Sequence, residues 1–288
     1  VLTRGMFVLK KVILVLGIMV TVIFAVGLMG CGSGGSKQTN GNSSSEETKK
    51  NTTLLSKDEF KQMYSDPDKF KDRKVDFYAK IFQEPEKDEK GTYIQAFADP
   101  DNSEENTLIQ VSDPKLDVKN NDIIHVIGTV EKKYTGKNGF GAEISAPVIT
   151  ATKVEKSDYG TAFDPAKKTI TVNKEINQNG YVIKLNKVEF GAKNTRAYLT
   201  ITNNSKEQID FNSYDAKATQ GNTQFEVDSS NLDYPELKTE ILPGIKEEGV
   251  VLFKPLNPDG GNCSFIFTGS SENYELEFNP FTFNINVQ

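Results

Sequence analysis

The sequence predicts an all-β protein: a small closed barrel of five strands with a short helix ahead of it, followed by a β-sandwich. Three observations carry this reading. Residues 75–82, VDFYAKIF, alternate Val75, Phe77, Ala79 and Ile81 on one side with Asp76, Tyr78, Lys80 and Phe82 on the other. That period of two marks a half-buried strand. Four further strand-like runs follow before residue 155. From residue 169 onward, runs of the same kind recur between turns spaced about 8–12 residues apart, the rhythm of a sandwich.

The helix is expected over residues 57–65. Ser56 and Glu59 have the spacing of a capping box, in which each side chain bonds the other's backbone amide. Leu55, Phe60, Met63 and Tyr64 form one apolar stripe, and SDPDKF closes the element. After VDFYAKIF come TYIQAFA at 92, TLIQV at 107, DIIHVIGTV at 122 and EISAPVITATKV at 143. The connections between them, QEPEKDEKG, DPDNSEEN, SDPKLDVKNN and KKYTGKNGFGA, are polar and carry Gly, Pro or Asx turn chemistry.

Residues 157–168 read as a joint. Beyond it the runs TITVNKEI, YVIKLNKVEF, RAYLTITNN, QIDFNSYDAKAT, TQFEVD, KTEILPG, GVVLFKPL, CSFIFTG, YELEF and FTFNINV fill residues 169–288. QGNTQ at 220 is a hairpin turn through Gly221-Asn222.

The front end has a different character. Residues 12–28 contain no charge and follow Lys10 and Lys11, the pattern of a secretory signal, with Met6 as the expected start. The run is also just long enough to span a bilayer, so an uncleaved anchor is the alternative, with soluble secretion a third. Residues 32–53 hold no large apolar side chain and are expected to form a disordered tether, about 25 Å long on average. The domain boundaries that result are 1–30 for the signal, 31–54 for the linker, 55–156 for the barrel, 157–168 for the joint and 169–288 for the sandwich.

Three resemblances sharpen this outline. Leu28-Met29-Gly30-Cys31 resembles the lipobox of bacterial lipoproteins, which implies a lipid on the Cys31 thiol and cleavage before it. DIIHVIGTVEKKYTGKNGFGAEISAPVITATKV resembles the last two strands of the OB-fold domains of Gram-positive lipoproteins, with Gly128 as the strand glycine where the barrel bends. LTITNNSKEQIDF, QGNTQF and LPG followed by GVVLFKP resemble the telokin-like, immunoglobulin-related domain of unknown function found in such lipoproteins. OB barrels bind on the face of their second and third strands, gated by loops. Carried onto this chain, that face offers Tyr93, Gln95 and Phe97, and the loop between the last two strands offers Lys133, Tyr134, Lys137 and Phe140. Tyr78 and Phe82 point outward on the first strand. The competing expectation is that these aromatics only cover the barrel or dock the second domain.

Composition bounds the function. Lys and Arg number 34 against 40 Asp and Glu. Only Arg4, Lys10 and Lys11 fall before Cys31, so the chain from Cys31 onward carries a balance of −9. A nucleic-acid binder needs the reverse sign. His125 is the single histidine and sits in a strand, and Cys263 alternates with Phe265 and Phe267 as a buried, inert residue would. The motifs G-x-S-x-G, H-E-x-x-H, C-x-x-C and G-x-x-x-x-G-K-[ST] are all missing. The acidic stretch at 99–106 lacks EF-hand spacing and reads as a solvated loop. The expectation is a non-enzymatic binding protein, without cofactor or metal, anchored by lipid on the outer face of the cell membrane. Its partner would be an envelope protein or a cell-wall or sugar ligand, and not nucleic acid. The alternatives are an envelope hydrolase or modifying enzyme, and a structural spacer between membrane and wall.

Overall fold

The computed structural model describes residues 52–137, 143–230, 233–273 and 275–287. The signal segment, Cys31, most of the linker and Phe140 lie outside these residues. Among the described residues no helix is long and apolar enough to cross a membrane. The chain is mostly strand and divides into two compact units, the first ending at Val154 and the second running from Glu155 and also taking in Ile123–His125.

The first unit opens with α1, Lys57–Met63. Its capping box forms as the sequence dictates: the Glu59 amide donates to Ser56 Oγ at 3.3 Å and the Ser56 amide to Glu59 Oε2 at 2.9 Å. The apolar stripe faces the strands, with Met63 fully buried and the Phe60 ring 5.0 Å from that of Phe77. The strands are β1 (Lys74–Ile81), β2 (Glu86–Asp88), β3 (Gly91–Asp99), β4 (Glu104–Val111), β5 (Ile123–Lys137) and β6 (Glu143–Ser157). Hydrogen-bonded neighbours run β1-β5-β6-β4-β3-β2, and β1 also pairs with β3. The pairing therefore leads from β1 through β5, β6, β4 and β3 back to β1. The β4–β6 pair is parallel, Leu108 opposite Val148, while β3 is antiparallel to β1, β2 and β4.

The alternation read in β1 is the one observed: Val75, Phe77, Ala79 and Ile81 are buried. Ile94, Ala96, Ile109, Val126, Val130, Val148 and Ile149 of the same sheet are buried too. Gly128 is a point of close approach between strands. A Cβ there would lie 2.6 Å from the Thr150 carbonyl oxygen and 2.8 Å from Ile149 Cγ2, so any side chain would force β5 and β6 apart. The linker after β1 contains one strand the sequence does not suggest. β2 is exposed throughout, and its pairing with β3 holds it.

The second unit begins with α2, Tyr159–Phe163, inside the segment read as a joint. Then follow β7 (Lys168–Gln178), β8 (Tyr181–Phe190), β9 (Thr195–Asn203), β10 (Ile209–Phe211), β11 (Lys217–Gln220) and β12 (Thr223–Glu226). The remainder are β13 (Glu240–Ile241), β14 (Lys246–Phe253), β15 (Cys263–Phe267), β16 (Gly269–Ser271) and β17 (Phe281–Ile285). They form one sheet in the order β14-β9-β8-β7, a second in the order β12-β11-β15-β17, and a small third, β13-β10-β16. The two larger sheets share one core. Leu185, Leu199, Ile201 and Phe253 come from the first, and Ala218, Phe265, Phe267 and Phe283 from the second. The Phe253 and Phe265 rings lie 5.4 Å apart, edge to face, and Cys263 is buried in the same core. Gly221 takes the left-handed φ of +57° in the turn between β11 and β12.

One expected strand is missing. The described part of YELEF, residues 275–278, is not in a strand. Just beyond it the Gln178 side-chain amide donates to the Asn279 carbonyl and accepts from the Asn279 amide, both at 2.9 Å. Phe278 packs edge to face on Tyr181 at 5.3 Å.

Candidate functional site

Two places bring polar and aromatic side chains together, one in each unit. The first is the outer face of β3 and its neighbours. Thr92, Ile94 and Ala96 point inward, so Tyr93, Gln95 and Phe97 point outward, as the alternation requires. Lys80 in β1 stands opposite Phe97 in β3, which brings the next outward residue of that chain, Phe82, onto the same surface. The Phe82 and Phe97 rings stack at 4.1 Å with planes 20° apart. The backbone locks this contact, since the Phe82 amide donates to the Gln95 carbonyl at 3.2 Å.

Tyr93 stands opposite Glu86 in the β2–β3 pair, and its hydroxyl donates to Asp88 at 3.3 Å. Tyr93 and Gln95, with Gln83, Glu84, Leu108 and Gln110, rim a void of about 30 Å³. That is room for about one water molecule, far below the ~300 Å³ of a small-molecule pocket. This face is a surface to lie on, not a cavity to enter. Next to it Glu131 Oε2 accepts from the Gln110 amide and from the Thr150 hydroxyl, the latter at 2.8 Å. These three residues come from β4, β5 and β6, and only the pairing of β6 with both of the others gathers them.

The remaining predicted residues are spread more widely. Tyr78 is half-buried in the middle of β1. Lys133, Tyr134 and Lys137 stand at the far end of β5, where the Lys133 amide donates to Asp68 Oδ1 at 2.9 Å. Tyr134 folds back over Gly136, whose Cβ, if it had one, would be 2.4 Å from the phenol oxygen. Phe140 falls outside the described residues. His125 is half-buried within β5. Burial pushes the Cys263 thiol up to about 11, which keeps it protonated and unreactive at neutral pH.

The second place was not singled out in the sequence. Arg196, the second residue of β9, is fully buried. Its Nε donates to Glu189 Oε2 at 3.0 Å, and its Nη1 donates to Asp164 Oδ2 at 2.8 Å, to the Asp164 carbonyl at 2.9 Å and to the Tyr234 hydroxyl at 3.2 Å. Asp164 is buried too, and its other carboxylate oxygen accepts from the Ala192 and Lys193 amides. Glu189 further accepts from the Tyr198 hydroxyl at 2.9 Å and from Lys187 Nζ at 2.5 Å. Burial alone would raise Glu189, but the bonds from Lys187, Tyr198 and Arg196 outweigh it and hold the carboxyl below its ordinary value. Burial pushes Tyr234 up to about 12. A pocket of about 430 Å³ opens beside this network.

Among the described residues no group of three or more His, Cys, Asp and Glu side chains is placed to hold a metal ion. No protein-family model matches the chain, and no curated protein is significantly similar to it.

Proposed function

We propose that the chain is a binding protein of the outer membrane face, held by lipid on Cys31, in which an OB-type barrel precedes an immunoglobulin-like sandwich. The strand pairing carries the reading. A circuit through β1, β5, β6, β4 and β3, with β4 and β6 parallel, is the connectivity expected of an OB barrel, and β2 is an added hairpin arm. In that frame β3 and β4 are the second and third barrel strands, which form the usual binding face. The stacked Phe82 and Phe97, with Tyr93 and Gln95, lie on or beside it. Two four-stranded sheets sharing one core support the sandwich reading for the second unit. The shallowness of the barrel face favours an extended occupant, a cell-wall polymer or a stretch of an envelope protein, over a small molecule.

The test is a photo-crosslinking amino acid at Gln95 in living cells, with the same group at Lys217 in the second unit as the control. A product from position 95 that is lacking from position 217 is expected. Silence at position 95 would overturn the reading.

A further inference from the structure

We propose that the outer face of β3 binds a neutral glycan chain, held at two aromatic stations: Tyr93 at one end and the Phe82–Phe97 stack at the other. The inference rests on the reading of this face as the binding face and names its occupant.

The two stations are fixed independently. The Tyr93 hydroxyl donates to both oxygens of Asp88 at 3.3 Å, and Asp88 Oδ1 accepts from the Lys90 and Gly91 amides at 2.7 and 3.0 Å. Phe82 is set by the bond from its amide to the Gln95 carbonyl and by its stacking on Phe97. All three rings are half-buried, which leaves part of each for a ligand. The C–H face of a sugar ring is apolar and packs on such surfaces. Tyr93 and Phe97 stand four residues apart on one face of a strand, about 13 Å. A single sugar ring cannot touch both, and a chain of several can. Gln95 lies between them, opposite Leu108. Its amide both donates and accepts, as a hydroxyl does, and carries no charge.

Strand pairing and charge exclude the other polymers. An extended peptide joins a sheet by adding to an open edge. β3 offers none here: β4 pairs with it from Thr92 to Asp99, while on the other side β2 pairs with Gly91–Tyr93 and β1 with Ala96 and Phe97. The outer edge of β2 is three residues long, and the loop after β4 already reaches this arm. Lys87 Nζ donates to the Leu116 carbonyl at 2.6 Å and the Asn120 amide to Glu84 Oε2 at 3.2 Å. The arm beside Tyr93 carries Glu84, Glu86, Asp88 and Glu89 against Lys87 and Lys90. A phosphate-bearing chain meets more negative charge than positive there.

The experiment titrates the full chain in detergent micelles by calorimetry. The probes are chitohexaose, cellohexaose and maltohexaose, the monosaccharides N-acetylglucosamine and glucose, polyphosphate and decaproline. At least one hexamer should bind saturably, at least tenfold tighter than its own monosaccharide. Tyr93→Ala and Phe97→Ala should each weaken that binding at least tenfold while unfolding stays cooperative. If Phe97→Ala fails to fold, Tyr93→Ala decides alone. Binding of polyphosphate or decaproline at least as tight as that of any glycan, and lost in Phe97→Ala, would overturn the glycan while leaving the face as the binding site. Glycan binding that both variants leave unchanged would overturn the face itself. Equal affinity for a hexamer and its monosaccharide would overturn the two stations. No binding by any probe would overturn the proposal, and the crosslink at Gln95 then tests the face without reference to it.

Discussion

Asp164 and Arg196, 32 residues apart in sequence, form an ion pair of 2.8 Å in which neither side chain reaches solvent. The pair ties the segment after α2 to the start of β9. Asp164 also accepts from the Ala192 and Lys193 amides between β8 and β9, so one carboxylate closes off three donors.

Breaking this pair from one side leaves a buried charge without its partner. Arg196→Met is therefore expected to cost about 3–5 kcal/mol, measured by denaturant unfolding. Asp164→Asn should cost less, because its side-chain oxygen can still accept from one amide. The double variant should fall well short of the sum of the two, since each change removes the same contact. Additive losses, or a loss under about 1 kcal/mol for Arg196→Met, would show that the pair does not hold the segment.

Glu59 sets an acid limit for the first unit. The Ser56 amide, followed by Arg73, lowers its carboxyl from 4.5 to about 2. A depressed carboxylate contributes stability that is complete above its unfolded value and lost as the pH falls through its folded value. The loss should therefore run from pH 4.5 down to about 2, and Glu59→Gln should flatten that part of the stability profile. Profiles of wild type and variant that stay parallel across this window would refute the assignment.

Gly128 tests the close approach of β5 and β6. Gly128→Val places a side chain against the Thr150 carbonyl, and overpacking of this kind costs about 1–3 kcal/mol. Thermal unfolding of the variant should show the first unit melting earlier and the second unchanged. A melting profile identical to wild type would mean that the strands part easily at this point.

The reading of Cys31 makes a prediction of its own. Cys31→Ala should leave a longer, unlipidated precursor or send the protein to the medium, as read by intact mass and membrane fractionation. Unchanged mature mass together with unchanged membrane retention would exclude lipid on this sulfur.

What was legible in the sequence was local. The capping box needs only Ser56 and Glu59, and the parity of β1 and β3 needs only neighbours two apart. The Arg196 network needs the fold. In β9, Thr195, Ala197, Leu199 and Ile201 point into the core, so alternation assigns Arg196 to the outside with Tyr198 and Thr200. It is buried because Asp164, Gly160 and Tyr234, all more than thirty residues away, cover that outer position. β2 was illegible for the opposite reason: Glu86–Asp88 buries nothing, and only pairing with β3 makes it a strand. YELEF shows that alternation does not suffice: residues 275–278 alternate in the sequence and yet are not in a strand.

The Phe82–Phe97 stack separates a binding face from a cover. Both rings are half-exposed, so replacing one forfeits a pair interaction of about 0.5–1.5 kcal/mol plus a modest area of burial. A ring that only covers the strands has no further use, and Phe97→Ala would then lower stability without changing what the chain contacts. A ring that carries ligand would show the reverse. Its loss should cut the crosslinked product at Gln95 at least tenfold while the unfolding free energy falls by no more than about 2 kcal/mol. Tyr134→Ala serves as the comparison, because its ring folds onto Gly136 at the far end of β5. If Tyr134→Ala removes the product and Phe97→Ala does not, the ligand is held by the loop end and not by the β3 face. If neither does, the aromatics are a cover.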